Sequence, residues 1–185
     1  HEEFIRLENE TIDIYLGRDE YRVNVEYAFH NTGPETVITM GFPNESDWMY
    51  GTSIKSFRAW VDGVEQEIYR RKSRESNKPY GPGTAPDYYY ECFDTALNAK
   101  ETRTVRNSYS QEYVTDYDQS VHRATYVLST GAYWRGKIDE IVVRIHYGRN
   151  REDLRARSGF FFPEDVSGAG TRYDGISITP KPTAT

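Results

Sequence analysis

The sequence predicts an all-β protein, an antiparallel β-sandwich of about nine strands joined by long loops. Three observations carry that prediction. The segment Glu20–Asn31 puts Tyr21, Val23, Val25, Tyr27 and Phe29 on every second position, with Arg22, Asn24, Glu26, Ala28 and His30 between them. A strand sends alternate side chains to opposite faces, so this segment offers an apolar face to a core and a polar face to water, as antiparallel sheets commonly do. Turn-forming Gly, Pro, Asn and Asp punctuate the chain at short intervals, and no stretch repeats its apolar residues with the period of an amphipathic helix.

In chain order, Ile5 to Leu16 is the first strand, with Ile12, Ile14 and Leu16 alternating with Asp13 and Tyr15; Gly17-Arg18-Asp19 turns it into the Glu20 strand as a hairpin. Asn31-Thr32-Gly33-Pro34 breaks the pattern. Glu35 to Phe42 follows, with Ile38, Met40 and Phe42 on one face, and Pro43 is expected to stop it. Ser53 to Val61 resumes the alternation through Phe57, Ala59 and Val61, with Trp60 opposite. Asp62-Gly63 between Val61 and Val64 is the clearest hairpin signal, because a two-residue type I′ turn needs positive φ at both central positions.

Residues 70 to 87 read as a long mobile connection, basic from Arg70 to Lys78 and rich in Pro and Gly from Pro79 to Pro86. Glu75 interrupts the basic run and no aromatic interleaves it, so a solvated loop is preferred to an anion site. Tyr88–Leu97 and Glu101–Tyr113 are strands around a turn at Asn98-Ala99-Lys100. His122–Ser129 is a strand with Ala124, Tyr126 and Leu128 on one face, and Gly131 to Gly136 is a glycine-bracketed corner. Ile138–Tyr147 is a further strand, with Ile141, Val143, Ile145 and Tyr147 sharing a face. A helical turn is allowed only at Arg149–Arg157. Residues 1–178 are expected to form one β-sandwich domain, and 179–185 a Pro/Thr-rich tail or linker.

Composition narrows the function classes. Of 185 residues, 15% are aromatic, and 16 of these are Tyr, a residue suited to strands and to half-wet surfaces. The net charge of -6 argues against nucleic acid or an anionic membrane as the main partner, since both select basic surfaces. No apolar run is long enough to span a bilayer as a helix, so no membrane insertion is expected. The chain opens at His1 rather than Met, which reads as an excised or processed product. Cys92 is the only cysteine; with no basic residue beside it in the run Tyr88–Phe93, it reads as buried filler rather than a reactive thiol.

Several short markers occur together: Asn31-Thr32-Gly33, Gly41-Phe42-Pro43, Phe57 leading to Val61-Asp62-Gly63, Tyr126 followed by Thr130-Gly131, and Trp134-Arg135-Gly136-Lys137-Ile138. In order and spacing, from about residue 5 to about 147, the chain resembles a family of secreted bacterial proteins catalogued as the domain of unknown function numbered four-four-two-four. The resemblance implies an extracytoplasmic all-β module, sometimes joined to other cell-envelope modules. It supplies no catalytic residues.

The candidate ligand-binding residues are Trp48, Tyr50, Tyr80, Tyr133 and Trp134, all in expected loops or corners, where exposed rings stack on sugars or anchor a protein partner. For Trp134 the bracketing glycines favour a plug on the core; for Trp48 and Tyr50 a cover over a sheet edge competes evenly with the binding role. Asp116 and Asp118 form an Asp-x-Asp pair without the Gly and closing Glu of a calcium loop, so no metal is expected, and no cofactor. His30, His122 and His146 are scattered. The chain has no Gly-x-Ser-x-Gly elbow, phosphate loop or His-Glu-x-x-His. Its 29 acidic residues leave room for a carboxylate pair of the kind glycoside hydrolases use, which makes any one pair a weak signal. The leading expectation is a non-catalytic extracellular or cell-envelope module whose partner is a protein or glycan of the cell surface. A carboxylate-based hydrolase of cell-wall or polysaccharide substrates is the second class, and an assembly subunit that pairs a sheet edge with a partner strand is the third.

Overall fold

The computed structural model of the chain describes residues 3–44, 53–72, 89–115, 122–127, 134–146, 154–161 and 173–180. These residues form thirteen strands and no helix: β1 (Ile5–Leu16), β2 (Glu20–Asn31), β3 (Thr36–Asn44), β4 (Lys55–Val61), β5 (Val64–Glu65), β6 (Tyr69–Lys72), β7 (Tyr89–Leu97), β8 (Thr102–Glu112), β9 (Val114–Thr115), β10 (His122–Val127), β11 (Glu140–His146), β12 (Leu154–Phe161) and β13 (Tyr173–Pro180). They assemble into a six-stranded sheet ordered β11-β1-β2-β8-β4-β5, a three-stranded sheet β3-β7-β6 and a four-stranded sheet β12-β13-β10-β9. Ile38 and Met40 of β3, Phe93 and Leu97 of β7, and Ala124 and Tyr126 of β10 share one apolar cluster with the inner face of the six-stranded sheet. The large sheet is thus one layer of a sandwich, and both smaller sheets pack against it.

The period-two segments behave as their patterns dictate. In β2 every second residue from Tyr21 to Asn31 is buried, and the strand lies centrally between β1 and β8. Strand β1 changes parity part-way. A register shift between Leu7 and Asn9 lets Ile5 and Leu7 face inward and then Glu10, Ile12 and Ile14. Asp62 and Gly63 both have positive φ (48° and 83°), joining β4 to β5 as the hairpin motif requires, and Asp62 Oδ1 accepts the Thr104 N–H at 2.9 Å. Asn31 locks the next turn: its Nδ2 lies 2.7 Å from the Pro34 carbonyl and 3.2 and 3.0 Å from those of Leu97 and Asn98, and its Oδ1 accepts the Gly33 N–H. Gly33 is needed there, because a Cβ would sit 2.4 Å from Cγ of Phe4.

Several expectations are corrected. Strand β3 runs through Pro43 to Asn44; it is an edge strand, and on its open side a missing N–H leaves no bond unmade. Arg70–Lys72 belong to β6, paired with β7, and so are not part of a connection; the rest of that expectation, residues 73–88, lies outside the described residues. Leu154–Arg157, part of the allowed helical turn, are extended in β12, where pairing from Leu154↔Pro180 to Phe161↔Tyr173 overrides local preference. Strand β13 continues to Pro180, two residues into the stretch read as a tail. The strands flanking the Asn98–Lys100 turn do not pair with each other: β7 joins the small sheet and β8 the large one, so this turn carries the chain between layers. Within the otherwise antiparallel large sheet, β11 pairs parallel to β1. It is guided there by the Arg135 N–H on the Ile5 carbonyl, the Asp139 N–H on the Glu8 carbonyl, both at 2.8 Å, and the Arg6–Asp139 ion pair.

Candidate functional site

The most distinctive chemistry among the described residues lies inside the sandwich, where the four-stranded sheet meets the large one. The parity switch in β1 turns the Glu10 side chain inward beside Ile12 and Ile14, leaving it 3% exposed. Tyr126 of β10 donates its hydroxyl proton to Glu10 Oε1 at 2.7 Å, and its oxygen lies 3.1 Å from the hydroxyl of Tyr27 on β2. One row away, the Tyr21 hydroxyl lies 2.7 Å from Gln111 Oε1 and 3.0 Å from the Thr125 carbonyl, and accepts the Thr125 N–H at 3.1 Å. Four contacts made by tyrosine hydroxyls thus tie β10 to β1 and β2. The three-stranded sheet is attached differently, chiefly through Ile38, Met40, Phe93 and Leu97.

Burial governs the electrostatics of this seam. It pushes the Glu10 carboxyl above its ordinary value, with the Tyr126 hydrogen bond partly opposing. The phenols of Tyr21, Tyr27, Tyr109 and Tyr126 are raised, first by burial, and for the last three also by the nearby charge of Glu10. Tyr113, at the margin, is pushed up to about 12 by burial alone. Asn107 Oδ1 is buried without a hydrogen-bond partner among the described residues. Glu10 has a raised pKa, as a general acid would, but its burial leaves no approach for a polymer substrate; what the arrangement does is join two sheets.

Two other groups flank this seam. Asn44 and Ile54, which bracket the stretch holding Trp48 and Tyr50, are tied together by the Ile54 N–H on Asn44 Oδ1 at 2.8 Å. Asn44 Nδ2 and Arg70 Nε both donate to Glu91 Oε1, at 2.7 and 2.9 Å. On the outer face of the large sheet, His146 stacks on Tyr15 at 4.2 Å and 9° between planes, its Nε2 lies 2.6 Å from Asp13 Oδ1, and the Arg22 guanidinium sits 5.0 Å from the Tyr15 centroid. The same face carries cross-strand ion pairs Arg106–Glu26, Arg58–Glu65 and Lys55–Glu112.

Of the residues proposed from sequence to bind a ligand, Trp134 is half-buried and packs on Phe29 with ring centroids 4.6 Å apart, against the core. Trp48, Tyr50, Tyr80 and Tyr133 lie outside the described residues, as do Asp116 and Asp118. His30 and His146 share the outer face but stand at opposite ends of it, His30 level with Arg6 and Thr102, His146 level with Tyr15. Cys92 is buried and free, with its thiol pushed up chiefly by burial. The sequence reading passed over Glu10, although a signal was there. Apolar Ile5 and Leu7 are odd-numbered while Ile12 and Ile14 are even-numbered, so the parity must switch between them, and Glu10 shares parity with the second pair.

This topology occurs in known proteins. In a crystal structure from Legionella pneumophila, described as that of a candidate nutrient-binding protein, the match covers 98% of this chain and 65% of that one, at 19% identity and a TM-score of 0.62. The likeness is one of fold. This chain therefore spans about two thirds of the length of the Legionella protein. An M1 zinc metallopeptidase from Deinococcus radiodurans (11% identity, 97% of this chain and 39% of that, TM-score 0.42) and yeast LTA4 hydrolase (7%, 95% and 29%, 0.39) are more distant matches. No family model matches the chain, and no curated protein matches it in sequence. The family resemblance drawn from the short markers is therefore supported only as far as the β-sandwich architecture. Within it, Asn31, Gly33, Asp62 and Gly63 serve turns, and Trp134 packs on the core.

Proposed function

We propose that this chain is a non-catalytic binding module that works outside the cytoplasm, at a bacterial cell envelope, and takes a polar solute or a glycan or protein of the cell surface. The observation that carries this reading is the likeness, over nearly the whole chain, to a protein described as a candidate nutrient-binding protein. Two features of the chain support it. The Asn44–Ile54 clasp ties together the two ends of the stretch whose sequence contains Trp48 and Tyr50, the rings proposed here to meet a ligand. The interior carboxyl is used to join sheets, which argues for a scaffold role rather than for acid catalysis.

The test is thermal unfolding of the chain with a panel of sugars, amino acids and cell-wall fragments. A true ligand at about a hundred times its Kd adds about 2.7 kcal/mol, which for a chain of this length raises Tm by roughly 5 to 11 °C. The gain is expected to disappear in a Trp48→Ala/Tyr50→Ala variant. A panel that moves Tm nowhere, together with no retention of the chain on intact cell-wall material, refutes the reading.

A further inference from the structure

We propose that strand β11 is a dimerisation edge, along which two copies of this chain pair antiparallel about a two-fold axis through Val143 and join their six-stranded sheets into one continuous sheet. The inference starts from how the sheet edges are protected. An exposed strand edge offers unpaired N–H and C=O groups to any other chain, and proteins blunt such edges by shortening them or by placing proline or like charges on them. The far edge of the large sheet, β5, has two residues, as does β9 in the four-stranded sheet. In the three-stranded sheet, β3 carries Pro43, and β6 is four exposed residues of which Arg70, Arg71 and Lys72 are all basic. Strand β11 has none of these guards. Its seven residues lack proline and lysine, and four are Ile or Val. Among the described residues nothing pairs with its outer side.

The sequence of β11 is also complementary to itself. Register with β1 places Ile141, Val143 and Ile145 level with Glu10, Ile12 and Ile14 on the inner face, and Glu140, Val142, Arg144 and His146 on the outer face. Antiparallel pairing centred on Val143 uses all seven residues and sets each against a residue of its own face. On the inner side Ile141 meets the partner's Ile145 and Val143 meets the partner's Val143, which covers Ile141, 42% exposed in the single chain. On the outer side Glu140 meets the partner's His146, and Val142 meets the partner's Arg144. Moving the register two positions toward the strand's C-terminal end sets Arg144 against the partner's Arg144, and moving it two positions the other way sets Glu140 against the partner's Arg144 but leaves Ile145 and His146 unpaired, so the Val143 register is chosen by its length and its buried isoleucines. A second copy is therefore the occupant that the charges and the exposed isoleucine fit.

Sedimentation velocity over about 1 μM to 1 mM is the primary test, with a mass that doubles as concentration rises. Ile141→Lys, which puts a charge on the inner rim, is expected to abolish the dimer; Glu140→Lys, which removes the acceptor facing the partner's His146, is expected to raise the dissociation constant about tenfold or more. Glu140 makes no ion pair among the described residues, so its replacement leaves the monomer fold intact, a point checked by circular dichroism. Hydrogen exchange on the wild-type chain gives a readout free of substitutions: amides within 140–146 gain protection as concentration rises. A chain that stays monomeric throughout overturns the proposal. So does a dimer that ignores both substitutions, and so does one that forms without added protection in β11.

Discussion

Replacing Glu10 by Gln isolates the buried carboxyl as a source of pH-dependent stability. Gln keeps the shape of the side chain and an acceptor for the Tyr126 hydroxyl, and removes the ionisation. Burial raises the Glu10 pKa above 4.5 in the folded chain, while in the unfolded chain the carboxyl is back in water. The folded state thus binds this proton more tightly. Its contribution to stability is complete below the unfolded value of 4.5 and is lost as pH rises through the folded value. Every tenfold excess in proton affinity costs about 1.4 kcal/mol once both states are ionised. Urea unfolding of both proteins, followed by tryptophan fluorescence from about pH 4 to pH 8, reads the difference directly, and the many exposed carboxylates cancel between them. The E10Q variant is expected to match the wild type within about 0.5 kcal/mol at the acid end. At the alkaline end it should exceed the wild type, by a margin that widens as pH rises through the folded value of Glu10, with each kcal/mol appearing as roughly 2 to 4 °C in Tm. Stability curves that run parallel across the whole range refute the buried-proton argument.

Other substitutions test neighbouring parts of the structure. Tyr126→Phe removes the donor to Glu10 and is expected to cost about 1 kcal/mol at acid pH and about 2 to 3 kcal/mol where the carboxyl is ionised, measured in the same unfolding series. Gly63→Ala meets no atom within 4 Å, so its cost is purely that of positive φ, about 1 kcal/mol in Tm-derived stability. Trp134→Ala strips the ring from Phe29 and is expected to cost about 2 to 3 kcal/mol while leaving the far-UV spectrum unchanged; a neutral result would free that ring for ligand contact. The Cys92 thiol, buried and shifted upward, is expected to react with a disulfide reagent only at the rate of unfolding, and a fast native reaction would contradict its burial.

How much of this was legible from sequence depended on what alternation can encode. Period two assigns faces, and so β2 and the inner side of β4 could be read residue by residue, and Asp62-Gly63 announced its turn by backbone chemistry alone. Alternation does not name neighbours. Nothing in Thr102–Glu112 says that it inserts between β2 and β4, or that β11 will run parallel to β1, because those choices are made by layers that meet only after collapse. Pro43 misled because a residue that breaks a central strand is harmless on an outer one. Glu10 was missed because a single bulged residue reverses which parity faces the core, and the carboxyl arrives inside by that reversal.

The insertion of β8 also fixes the order in which the chain can assemble. The β1–β2 and β4–β5 hairpins close across short turns, yet they share no sheet until a strand from much later in the sequence arrives to bridge them; the Glu26–Arg106 pair across that junction is 80 residues apart. Closing so large a loop is entropically expensive and unrewarded until the last hydrogen bonds form, which places this chain among the slow, non-local folders of the millisecond-to-second class. While it waits, each hairpin exposes a ladder side made for β8, so the refolding yield should fall with protein concentration well before native stability does.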